Sequence, residues 1–203
     1  KDDRDIFDIQ DTISVGILDK LNLDANSIVI GLRHFKEPEA YKKYIYARSE
    51  LQTDTSESLN NARKLLDEAA RIEPNNTEIL NAEGFWYYAH GKLSSSERSE
   101  SDYLKALEIG IETNDYGLIG LVEVAQGKLE SASLRPKQME ETGMTEGHAL
   151  YTAIAGIIRH TCGEIEEAMK DYSKSIEIGP HAVSFVRLAY SVALCEIGRF
   201  EEA

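Results

Sequence analysis

The stretch CGEIEEAMKDYSKSIEIGP fills residues 162–180, and IGRFEEA fills residues 197–203. Within each, a Gly is followed by any residue, an apolar residue, then Glu-Glu-Ala. In the longer stretch Tyr172 and Ser175 follow Ala168 at offsets of four and three. Those offsets bring the three side chains onto one helical face, in the order small, large, small. Pro180 stands twelve residues after Ala168, where it would stop the helix. A phrase this specific, written twice, predicts a helical repeat.

Upstream the same phrase fits Ala62-Leu66-Ala69, with Pro74 twelve residues after Ala62, and again Ser99-Tyr103-Ala106. The intervals are 37 residues from Ala62 to Ser99, 69 from Ser99 to Ala168 and 35 from Ala168 to Ala203. The middle interval is close to two units, so one more copy is expected near Ser133. Each phrase is preceded by a second helical pattern with a small residue at mid-length: Ala47, Gly84, Gly156 and Ser191. Small residues there let a neighbouring helix come close. Two helices per unit of about 34 residues is the tetratricopeptide period. Through Gly84, Tyr87, Gly156, GEIEEAMKDYSKSIEIGP and GRFEEA the chain resembles that family over residues 38–203. The expected fold is all-α, a right-handed solenoid of antiparallel helix pairs. Its units would span about 38–75, 76–112, 113–147, 148–181 and 182–203.

The units are not identical. Ala47 precedes Ala62, and Gly84 precedes Ser99, by 15 residues, but Gly156 precedes Ala168, and Ser191 precedes Ala203, by 12. Three extra residues are therefore expected between the helices of the first two units, at TDTSE and KLSSSERSE. In the middle unit the phrase would read Ser133-Lys137-Glu140, with Pro136 inside it. Proline suits a first turn, so a late, short second helix near PKQMEET is expected. The last unit holds little of its second helix, and the first residue is Lys1. Both are what a piece of a longer protein would show.

Residues 1–37 read as a separate N-terminal helical segment. Ile6, Ile9, Ile13, Ile17 and Leu21 step by three or four along one stripe. NSIVIGLRHF, residues 26–35, fits a short helix or a strand. IFDIQDTISVGILDKL, EPEAYKKYIYAR and SLNNARKLLDEAARIEPNN then follow one another in order. That order resembles the C-terminal half of bacterial regulators, in which a TolB-like region precedes tetratricopeptide repeats. The N-terminal domain of those regulators is a class III adenylate/guanylate cyclase or a winged helix. The resemblance implies a signalling parent, with residues 1–37 closing the TolB-like part. It places no cyclase chemistry here, because no metal-binding aspartates of that kind are in view.

Composition narrows the function. The 203 residues include 22 Lys plus Arg and 36 Asp plus Glu, a net charge of −14. Such a surface repels phosphate backbones and anionic lipid, so nucleic acid is not the expected partner. The longest apolar runs, such as GLIGLVEVA at residues 117–125, fall well short of the roughly 20 residues of a membrane span. Cys162 and Cys195 form no CxxC pair and read as small apolar residues of a reducing compartment, which fits the cytoplasm. The five histidines form no HxxxH or HExxH, and no GxxxxGK[ST], GxGxxG or GxSxG occurs. No catalytic residue, metal site or cofactor is expected.

What remains is binding. In tetratricopeptide solenoids the first helix of each pair lines a concave groove that takes peptides. Carried over unit by unit, the resemblance gives Tyr41, Tyr44 and Arg48, then Glu78, Asn81, Phe85 and Tyr88, then Leu118 and Val122, then Ile157 and His160. The family's carboxylate-binding members use paired Lys and Asn. Only Asn81 stands at such a place, without a Lys, which argues against a C-terminal carboxylate ligand. Aromatic groups in an acidic body suit an apolar segment with basic flanks. Tyr87 and Tyr103 read as inter-repeat core. Tyr41, Phe85 and Tyr88 fit either groove or core. Pairing of two copies through the open C-terminal helix edge is a further possibility.

Overall fold

The computed structural model describes residues 34–53, 55–179 and 184–201, so the predicted N-terminal helix lies outside the described residues. Ten helices follow in order among them: α1 (Pro38–Leu51), α2 (Ser56–Ile72), α3 (Thr77–Leu93), α4 (Ser96–Thr113), α5 (Tyr116–Ala125), α6 (Leu129–Ala132), α7 (Arg135–Glu141), α8 (Ala149–Thr161), α9 (Ile165–Ile178) and α10 (Ser184–Glu196). No strand occurs among the described residues.

Local chemistry sets the helix ends. Pro38 sits in the first turn of α1, where its missing N–H leaves no bond unmade. Thr55 and Ser58 cap α2 reciprocally, side chain to backbone in both directions. The Asn76 side chain accepts the amides of Glu78 at 2.9 Å and Ile79 at 3.3 Å and so starts α3. Asn114, at φ 55°, ends α4 in the left-handed region, and Asp115 starts α5 immediately after it.

The phrase residues face inward. Ala62, Leu66 and Ala69 are wholly buried between α1, α2 and α3, as are Ala168, Tyr172 and Ser175 between α8, α9 and α10. The paired helix comes close enough to touch backbone. The Ser175 hydroxyl donates to the Ala149 carbonyl at 2.7 Å, and the Ser99 hydroxyl to the Gly91 carbonyl at 2.8 Å. The mid-helix small residues are needed for this approach. A Cβ on Gly84 would stand 2.9 Å from Ile109 of the paired α4 and 2.4 Å from Leu118 of α5 in the next unit, and one on Gly156 2.7 Å from the Tyr172 ring of α9.

Two expectations are corrected in register. The three extra residues do not make longer loops in both early units. In the first they lengthen the start of α2, which begins six residues before Ala62 rather than three. In the second they extend the end of α3 to Leu93, leaving only Ser94 and Ser95 before α4. In the middle unit the buried face is Ala132-Pro136-Met139, one residue ahead of the expected Ser133-Lys137-Glu140. Lys137 and Glu140 are exposed. The offsets of four and three persist, but the second helix breaks into α6 and α7, with Pro136 in the first turn of α7. Burial of Met139 and of the proline ring decides this register; the polar residues one step on could not be buried.

Successive first helices pack on one another: α1 on α3, α3 on α5, α5 on α8 and α8 on α10. Among the described residues, no successive second helices approach as closely. An array tied together along one row and splayed along the other bends toward the tied row. The first helices therefore line its inner, concave face.

Candidate functional site

The inner face gathers a polar group from helices far apart in sequence. Tyr44 on α1 is 5% exposed. Its hydroxyl accepts from Arg48 Nη1 at 3.2 Å and donates to Glu78 Oε2 of α3 at 3.3 Å. Burial raises the Tyr44 pKa, so the phenol stays protonated and can donate. Tyr151 on α8 donates to Asp115 Oδ2 at 2.6 Å, and Asp115 Oδ1 accepts the Leu118 amide at 2.9 Å. Burial pushes the Asp115 carboxyl above the usual carboxylate range, against the pull of the Tyr151 hydroxyl and two backbone amides. Burial and the neighbouring Asp115 charge hold the Tyr151 phenol well above its ordinary value.

These two groups are in electrostatic contact. Tyr151 senses Arg48 and Glu78, and Asp115 senses Glu78. One hydrogen-bonded group thus spans the first and second helix pairs and another the third and fourth, close enough to influence each other's charge. Arg48 carries the positive charge there, and Glu78 and Asp115 the carboxylates. The group can donate and accept hydrogen bonds and present a cation and an anion side by side.

The other expected residues divide. Tyr41 is half-buried and meets Phe35 edge-on at 5.3 Å between ring centres. Asn81 is half-buried, with its Oδ1 enclosed and unpaired among the described residues. Phe85 packs against both the Leu118–Val122 cluster and the Leu121–Ile158 cluster, so it is largely inter-repeat core. Tyr88 joins the same clusters, with the Lys92 ammonium 5.6 Å from its ring centre. Tyr87 and Tyr103 pack in the core as expected. Ile157 packs between α8, α9 and α10. His160 joins Tyr172 at 3.3 Å and Glu196 at 2.9 Å, tying α8 to α9 and α10.

Leu118 and Val122 need correction. Both are 0% exposed, enclosed with Ala106 under Phe85, Tyr87 and Tyr103, so neither offers surface to a ligand. The assignment failed by register: α5 starts at an Asp115 cap and turns these side chains toward α4. The polar residues on that side are Asp115, itself buried, and, one unit on, the half-buried Tyr151. The signal for them was present. Asp115 stands before the apolar run of α5, as an N-cap does, and Tyr151 follows it by 36 residues, about one repeat.

Among the described residues no three His, Cys, Asp or Glu side chains gather as they would around a metal ion. No described helix is long and apolar enough to cross a membrane.

No protein-family model matches the chain, and no curated protein does. The resemblance to cyclase-type and winged-helix regulators therefore finds no support there. Among solved structures, the chain is similar to a thermophilic TPR protein from Thermus thermophilus, at 19% identity and a TM-score of 0.59. The match covers 91% of this chain and 96% of that one. The chain folds as an all-α tetratricopeptide-type solenoid of antiparallel helix pairs.

Proposed function

We propose that this chain is a non-catalytic protein-interaction module whose inner face holds a segment of a partner protein. One observation carries the reading: two polar groups, Tyr44–Arg48–Glu78 across the first two helix pairs and Asp115–Tyr151 across the next two, lie within electrostatic reach of each other beside that face. A core has no need to bring a cation and carboxylates together across so many helices; a peptide backbone and its charged side chains do. The contact set is Tyr41, Arg48, Glu78, Asn81 and Tyr151, with Tyr88 and His160 at its margins; Tyr44, expected in the groove, is buried and instead holds Arg48 and Glu78 from beneath. The body is acidic, so the partner segment is apolar with basic flanks.

Selection from a random peptide library, followed by calorimetric titration of the winners, tests this. Winners should carry a Lys or Arg beside an apolar stretch. Arg48→Ala or Glu78→Gln should weaken their binding at least tenfold, with helicity and Tm held within a few degrees. A library that yields no binder, or binders indifferent to both substitutions, would refute the reading.

The finer reading places the module in a larger, cytoplasmic bacterial signalling protein, as the regulatory region of a class III cyclase. It is supported by the order of the three N-terminal sequence segments alone. Nucleotide cyclisation by the parent, compared with and without this region, tests it.

A further inference from the structure

The chain enters the repeat array through residues 34–37, which cross the turn between α2 and α3. Hydrogen bonds hold them there. Glu73, at the end of α2, accepts the Lys36 and Glu37 amides on its Oε1, both at 2.5 Å. Asn76 Nδ2 donates to the His34 carbonyl at 2.8 Å and to the other Glu73 oxygen at 2.7 Å. His34, Lys36 and Glu37 are exposed, and only Phe35 is half-buried. A cleft of about 430 Å³ lies between the segment and the turn, lined by Lys36, Ile72 and Pro74 among others. The segment is therefore tied to the turn rather than packed flat on it.

The repeat itself does not need this tie. Shifted by 106 residues, Ala62 becomes Ala168 and Pro74 becomes Pro180, but Glu73 becomes Gly179 and Asn76 becomes Ala182. Helix α9 ends at Gly179 with no carboxylate in that place. Glu73 is thus particular to the turn that residues 34–37 cross.

The same segment reaches two members of the inner-face group. The Phe35 ring lies 5.0 Å from the Tyr44 ring, centre to centre. Asn76, whose Nδ2 holds His34 and Glu73, accepts the Glu78 amide on its Oδ1 at 2.9 Å. Tyr44 and Glu78 are hydrogen-bonded to each other. One partner of that bond is steadied through a ring contact and the other through a helix cap.

We propose that residues 34–37 form a releasable latch that regulates the inner face. Fastened, it keeps Tyr44 and Glu78 in their bonded arrangement beside Arg48. Released, it loosens both, so residues 1–33 act on the face through it. Its regulatory purpose rests on the inner-face reading, whereas the latch and its coupling to Tyr44 stand on the contacts above. Hydrogen bonds at the surface are individually weak on balance, so the latch opens without unfolding the helix pairs. Ordering and release of a short segment is an established way to switch a binding surface.

The test uses the 203-residue chain. Glu73→Ala removes the acceptor of both amides. Asn76→Asp, the second variant, keeps a cap for α3 but sets a carboxylate against Glu73 in place of a donor. In both, amide exchange at Lys36 and Glu37, followed by NMR, should quicken at least tenfold, while α8 and α9 keep their rates. Nitration of Tyr44 by tetranitromethane, read by mass spectrometry against the exposed Tyr46, should rise at least threefold. Unchanged exchange at Lys36 and Glu37 overturns the proposal. So does faster exchange with Tyr44 nitration unchanged, which would make the segment an uncoupled tail. Loss of protection in α8 and α9 as well also overturns it, because residues 34–37 would then be an integral part of the fold. These readouts need no ligand, so a peptide library without binders would remove the inner-face reading and leave the latch result standing.

Discussion

The Tyr151 hydroxyl on α8 donates a 2.6 Å hydrogen bond to Asp115, whose other carboxylate oxygen caps α5 through the Leu118 amide at 2.9 Å. One side chain thus starts a helix and fastens the next pair to it. Asp115→Ala would leave both the amide and the phenol unpaired in a site that is 1% exposed. A cost of about 2–4 kcal/mol is expected, and a fall in Tm of roughly 4–16 °C for a chain this size. Thermal melts followed by circular dichroism measure it.

Charge at the same residue gives a pH signature. The folded carboxyl titrates above its ordinary value of 3.8 because it is buried. Between the unfolded and folded values the native state keeps a proton that the unfolded chain has lost. The contribution of Asp115 is therefore fully present below the unfolded pKa and falls as pH rises through the folded one. Asp115→Asn keeps an acceptor for Leu118 and a partner for Tyr151 but does not titrate. Its stability relative to the parent should improve as pH goes from about 3.5 to about 7. A constant difference across that range would contradict the assignment.

Arg135 and Glu123 form a two-pronged pair, Nε to Oε2 at 2.8 Å and Nη2 to Oε1 at 2.6 Å, with Glu123 only 7% exposed. The pair pins α7 to α5 in the unit with the broken second helix. Arg135→Met would strand a buried carboxylate and cost about 3–5 kcal/mol. Arg135→Met combined with Glu123→Leu should recover most of that loss, because the pair itself contributes little net. Arg135→Lys should fall between, since an ammonium cannot match both oxygens. Denaturant titration of the four proteins separates these outcomes.

Gly156 has the Tyr172 ring 2.7 Å from where its Cβ would be, with Asp171 at 3.2 Å. Gly156→Ala should force α8 and α9 apart and cost about 1–3 kcal/mol, although alanine is the better helix former. Hydrogen exchange should report the loosening in α8, α9 and α10 and leave α1 and α2 unchanged.

Much of this was legible because it is periodic. Ala168, Tyr172 and Ser175 share a face at helical spacing whatever surrounds them, and Gly84 and Gly156 mark close approach by their lack of a side chain. The register of the middle unit was not legible. Ala132-Pro136-Met139 and Ser133-Lys137-Glu140 obey the same offsets, and only the depth of the space beside α5 chooses between them. The candidate site was legible in part. Tyr44, Arg48 and Glu78 are brought together, whereas Leu118 and Val122 turned inward because the Asp115 cap sets the phase of α5.

By itself the sequence determined the repeat, its period, its helix faces and most helix ends. These depend on contacts within a few residues: 3.6-residue periodicity, caps, prolines and glycines. Tertiary structure alone decided which polar side chains meet. Arg48, Glu78, Asp115 and Tyr151 stand on four different helix pairs, and their proximity follows from how tightly successive first helices stack. That curvature is the summed effect of small-residue contacts such as Gly84 on Leu118 and Gly156 on Tyr172, each of which sets a distance between helices that no local pattern encodes.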